Sequence, residues 1–208
     1  MSADSFKNII FDIGNVVVRW APEKIVRLTF GDSDSIEAIE ARVKSIFQSE
    51  TWRDLNQGLI CENDAKAQYR KALEFSEREC ERLFYYIKHS QILIYGTVEL
   101  IKRCKASGYR VFALTDNVHE IVSHLKAVYS FWALFEGVTV SAEVGLLKPH
   151  AEIYQRLLCE YDLAASETVF IDDMPYNVKG AEAVGITAIQ FESAFQCEQA
   201  LKSLGLEF

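Results

Sequence analysis

The chain has 208 residues, half of them apolar and a quarter charged, which suits one α/β domain with an insertion or two small domains. A net charge of −8 with no Lys/Arg stripe argues against nucleic acid as a partner, and an anionic substrate would need a local cationic pocket. No apolar run reaches about 18 residues, so no membrane span is expected, and five scattered cysteines without a C-x-x-C pair read as reduced thiols in a cytoplasmic protein.

The first apolar run, Lys7 to Ile13, has the β-branched and aromatic content of a strand buried on both faces. It is interrupted by Asp12 and lacks a small-residue cleavage site, so it does not read as a signal peptide. From Pro22 to about Ser90 the texture becomes helical. Four amphipathic segments are expected there, "PEKIVRLTF", "SIEAIEARVKSIFQ", "CENDAKAQYRKALEF" and "SERECERLFYYIKHS", with Ser76 and Glu79 as a capping box. Beyond Tyr95 strands alternate with helices: "YRVFALT", "GVTVS", "ETVFIDD" and "GITAIQF" separate helical stretches, the pattern of βαβ units. The expected fold is therefore α/β, a doubly wound parallel sheet with a Rossmann-like core and an inserted α-helical cap. The core would take residues 1–18 and 91–208, and the cap 19–90.

Ligands of open parallel sheets bind beyond the carboxyl ends of the strands. The first strand ends at Asp12 and the second at Thr115, Asp116 and Asn117; Lys148 follows the third, and Asp172 and Asp173 close the fourth. Singly, each has an ordinary explanation as a helix cap, strand threonine or loop lysine. Four such ends delivering carboxylate, hydroxyl, ammonium and paired carboxylates to one edge point to a catalytic site.

"FDIGNVVV", "FALTDN", "GLLKPHAEIY" and "VFIDDMPYNVKGAEAVGI" together resemble the four ordered motifs of the haloacid dehalogenase (HAD) hydrolases. Their first motif resembles the F-D-x-G-N-V branch with its sugar-phosphate (α-D-glucose-1-phosphate) phosphatases. The resemblance implies a magnesium-dependent phosphatase that hydrolyses a small phosphate monoester, such as a sugar phosphate, through an aspartyl-phosphate on Asp12. Thr115 would hydrogen-bond the phosphoryl group and Lys148 neutralise it. Magnesium would be held by Asp12, the Gly14 carbonyl, Asp173 and Asp172, the last either a ligand or a supporting group, with Asn177 orienting the carboxylates. Asn15, Asp116, Asn117 and Arg19 would face the substrate; Arg19 reads equally well as a surface charge, and Trp20 and Trp52 as core.

Two positions depart from the family pattern. Gly14 stands where many relatives have the acid that protonates the leaving alcohol, a function typically worth about 10²–10⁴ in rate. Asp116 stands beside Thr115, where it would supply that proton or orient water. Two other readings use the same residues: a metal-independent 2-haloacid dehalogenase with Asp12 as nucleophile, and a catalytically weak phosphate-binding or regulatory module. The expected partner is a small phosphorylated molecule, for a monomer or homodimer without membrane or nucleic acid.

Overall fold

Short, almost wholly apolar runs form the strands, and their burial follows from a sheet covered on both faces. In the computed structural model, which describes residues 6–31 and 35–208, β1 (Asn8–Phe11), β2 (Arg110–Thr115), β3 (Gly137–Val140), β4 (Thr168–Asp172) and β5 (Thr187–Gln190) form one sheet. All neighbouring pairs are parallel, in the order β3-β2-β1-β4-β5. Ile9 and Phe11 of the central strand enter one core with α6 (Thr97–Ala106), α7 (His119–Val128) and α11 (Ala194–Ser203). Ile10 enters the other, with α9 (Ala151–Glu160) and α10 (Pro175–Glu182). The chain winds to one side of β1 through β2 and β3, then crosses to β4 and β5, so the order reverses between β1 and β4.

The segment between β1 and α6 is helical: α1 (Pro22–Phe30), α2 (Ile36–Phe47), α3 (Glu50–Asn56), α4 (Glu62–Ala72) and α5 (Glu77–His89). Four of these match the expected segments. The fifth, α3, has only seven residues, too few for a periodic pattern, and starts where Ser49 Oγ accepts the Trp52 N–H at 3.0 Å. The capping box forms as expected: the Glu79 N–H donates to Ser76 Oγ at 3.2 Å and the Ser76 N–H to Glu79 Oε2 at 2.8 Å. Gly58 lets the helical unit approach the sheet. Its φ is +70°, and a Cβ there would lie 2.2 Å from the Ala142 carbonyl oxygen. Ala142 belongs to α8 (Ser141–Val144), a one-turn helix after β3. Among the described residues no helix is long and apolar enough to cross a membrane.

Candidate active site

Asp12 and Asp172 lie one position past the Phe11–Ile171 pair, side by side on β1 and β4 where the strand order reverses. The Asp12 N–H donates to the Ile171 carbonyl at 2.9 Å, which continues the ladder into the site. Strand alternation sends both carboxylates to the face shared by Ile10 and Phe170. Lys148, in the loop before α9, meets them there. Its Nζ lies 3.0 Å from Asp12 Oδ1 and 2.6 Å from Asp172 Oδ2, with only 2% of the side chain exposed.

Asp172 is fully buried and saturated with donors. Asn177 Nδ2 donates to both of its oxygens at 3.0 and 3.1 Å, and the Met174 N–H donates to Oδ1 at 2.8 Å. The Asn177 carbonyl in turn accepts the Tyr154 hydroxyl at 2.8 Å, so α9 and α10 brace the aspartate that braces Lys148. Asp173 is half-buried and accepts from Asn15 Nδ2 at 3.1 Å. Asn15 takes a left-handed φ of 52°, which asparagine tolerates, and its Oδ1 accepts the Trp20 N–H at 2.9 Å. One amide thus ties the carboxylate just past β4 to the turn that leaves β1 for the helical unit. Asp12, Asp172 and Asp173 bring ligand oxygens within 4.8 Å of one another, an arrangement able to hold a metal ion.

The electrostatics follow from burial. Desolvation pushes the Asp12 carboxyl well above its usual range, and Asp172 adds to this; Lys148 and the Ile13 N–H, 2.7 Å from Oδ1, oppose it. Burial lowers the Lys148 pKa, but Asp12, Asp172 and Asp116 outweigh it and hold the ammonium charged. Asp116 is raised to about 6 by burial, partly offset by Lys148, whose backbone N–H donates to Asp116 Oδ1 at 3.1 Å. Three acidic groups crowd one ammonium, and ionised together they would leave an excess of two negative charges, so a phosphate dianion would then need a further cation there.

A cavity of about 410 Å³ opens over these groups and brings together Asp12, Gly14, Asn15, Asp116, Asn117, Lys148, Asp173 and Asn177 of the expected residues. Asp172 supports from behind rather than lining it. Thr115 is buried at the end of β2, where alternation groups it with Val111 and Ala113 toward the opposite core, and it is not a lining residue. Arg19 is exposed and off the cavity; its backbone N–H donates to the Ile92 carbonyl at 2.8 Å. Trp20, Phe47 and Trp52 do line the cavity. Helical spacing alone reads such aromatics as core; the one hint in the sequence is their crowding around the break "FQSETW". A clamp between the two units also carries no sequence signal: Ser141 Oγ accepts the Asn117 N–H at 2.9 Å and donates to the Asn56 carbonyl at 2.6 Å.

The family model for haloacid dehalogenase-like hydrolases matches residues 6–185. The chain belongs to this family. It is a hydrolase. A sesquiterpene phosphatase of Aspergillus oryzae is 27% identical over 200 residues, covering 96% of this chain and 97% of that protein. Among solved structures, a HAD-family enzyme of Bacteroides thetaiotaomicron shares the fold with a TM-score of 0.77 at 18% identity, over 91% of this chain and 95% of that one. The same enzyme in complex with magnesium and inorganic phosphate matches at 0.75 and 19%, over 91% of this chain and 96% of that one.

Proposed function

We propose that this HAD-like hydrolase is a magnesium-dependent phosphatase acting on a small phosphate monoester, with Asp12 as nucleophile. The observation that carries the reading is the state of the Asp12 carboxylate. Its Oδ1 is committed to Lys148 and the Ile13 N–H, which orients Oδ2 for attack on phosphorus at the cavity floor. Oδ2 forms a bond to phosphorus as the ester P–O bond breaks, and the departing alkoxide takes a proton. Water then attacks the phosphorus of the aspartyl-phosphate, which releases inorganic phosphate and restores the carboxylate. Lys148, fixed by Asp172, offsets phosphoryl charge at both steps. Thr115, the hydroxyl donor expected from the sequence, is turned toward the opposite core and is given no part in this step.

Asp12 and Asp173, with the Gly14 carbonyl, are the oxygen donors that would hold magnesium, and the excess negative charge of the cluster supports a divalent cation. When bound, it supplies neutralisation of the phosphoryl oxygens. Asp116 lines the cavity and keeps its proton up to about pH 6, which qualifies it to protonate the leaving group in place of the side chain missing at Gly14. The helical block 19–90 closes over this site as a cap. Five free thiols, three of them buried, fit a cytoplasmic enzyme. The relative from A. oryzae, a phosphatase by name, supports the reaction class.

The test is hydrolysis of p-nitrophenyl phosphate with magnesium, with EDTA, and by Asp12→Asn. Activity is expected only with magnesium and only in the unaltered chain. Full turnover in EDTA, or halide release from a 2-haloacid without metal, would replace this reading with the dehalogenase one.

A further inference from the structure

The two sides of the cavity differ in chemistry. Its charged groups gather at the sheet end, whereas the helical unit contributes Trp20, Pro22, Val43, Phe47, Gln48 and Trp52, only one of them polar. Trp20 and Trp52 lie stacked, with centroids 5.7 Å apart at 14°, and Phe47 meets them edge-on at 5.2 and 5.1 Å. Each of the three is half-buried, so this packed aromatic platform keeps part of its surface open to the cavity.

Water against such a wall is displaced favourably by hydrocarbon and unfavourably by hydroxyls, which would lose their solvent partners and find few in exchange: the Gln48 and Gln91 amides and the indole N–H groups of Trp20 and Trp52. A second acidic group on the substrate fares no better. Among the described residues lining the cavity the only cation is Lys148, already shared by Asp12 and Asp172. Arg53, in the adjoining cleft, is exposed and paired with Glu50 at 3.4 Å. The cavity volume accommodates a phosphate and a medium-length chain and lies within the usual range for small-molecule sites.

We infer, on the footing of the phosphatase reading, that the substrate is the monophosphate ester of an apolar alcohol, with its hydrocarbon lying against Trp20, Phe47 and Trp52. This choice is preferred to the sugar phosphate expected from the sequence, because the wall that faces the alcohol is mostly aromatic surface, with fewer hydrogen-bonding groups than a sugar has hydroxyls to satisfy.

A series of n-alkyl phosphates from methyl to octyl, assayed with magnesium beside glucose 1-phosphate and phosphoserine, tests this. The specificity constant kcat/KM should climb about fourfold per added methylene until the chain outgrows the cavity. Hexyl phosphate should exceed both comparators, and Trp52→Ala should flatten the slope. A flat series in the unaltered chain, or glucose 1-phosphate or phosphoserine at or above hexyl phosphate, overturns the inference while hydrolysis of p-nitrophenyl phosphate leaves the reaction class standing. No hydrolysis of any ester, p-nitrophenyl phosphate included, overturns both.

Discussion

Replacing Lys148 by methionine tests whether the site's central cation holds two buried carboxylates in place. Its Nζ stands 3.0 Å from Asp12 and 2.6 Å from Asp172, and at an effective dielectric of about 20 each contact is worth roughly 6 kcal/mol before desolvation. Most of that is offset by the burial of the charges, and removing one partner of such a network leaves a net loss of about 3–5 kcal/mol. For a chain of this size the melting temperature should fall by about 6–20 °C. The assay is thermal unfolding in EDTA at pH 7.5 and at pH 4.5. Asp12 already has a raised pKa from burial, and losing Lys148 raises it further. A raised acid contributes stability at low pH that disappears as pH rises through its folded pKa. The deficit of the variant should therefore be largest at pH 7.5 and shrink at pH 4.5, and adding Asp172→Asn should recover part of it. A deficit below about 2 °C at pH 7.5, or one that grows on acidification, would refute the reasoning.

Gly14→Asp should fold, because a Cβ there meets nothing within 4 Å and the φ is an ordinary one; it should speed turnover of poor leaving groups, by at most about 10²–10⁴. An unchanged rate in the folded variant would mean that the proton already comes from elsewhere. Asp116→Asn should alter stability with pH: the carboxyl is raised from 3.8 to about 6, so ionising it costs the fold roughly 3 kcal/mol as pH rises across that window. The variant should thus match the unaltered chain near pH 4 and melt higher above pH 6; an equal difference at both would remove burial as the cause.

The strand ends are legible in the sequence for a physical reason. A buried parallel strand is a run of apolar residues, so a charge that interrupts or ends it must have a partner, and Asp12, Lys148 and the Asp172-Asp173 pair stand out against "NIIF" and "TVFI". What the string of residues hides is direction. Alternation sends Asp172 back to Lys148 and leaves Asp173 toward the cavity, and it turns Thr115 toward the opposite core. Arg19 faces solvent, and its backbone N–H is tied to the Ile92 carbonyl. The helical unit is the least legible part. Seven residues make α3 too short for a period, and Trp52 at helical spacing looks the same whether it faces a core or a substrate.

The open space at Gly14 and the aromatic wall bear on each other. An alkyl alcohol leaves phosphorus less readily than nitrophenol or the anomeric oxygen of a sugar, so a substrate chosen by Trp20, Phe47 and Trp52 makes proton donation more important. Lys148 is committed to two carboxylates and Gly14 has no side chain to offer, which leaves Asp116, raised to about 6, as the acid lining the cavity with a suitable proton affinity. Asp116→Asn keeps an oxygen to accept the Lys148 N–H while removing that proton. It should therefore depress kcat for octyl phosphate by about 10²-fold or more, and for p-nitrophenyl phosphate far less. Equal losses on the two esters would show that Asp116 only positions the loop, and the proton would then have to come from water.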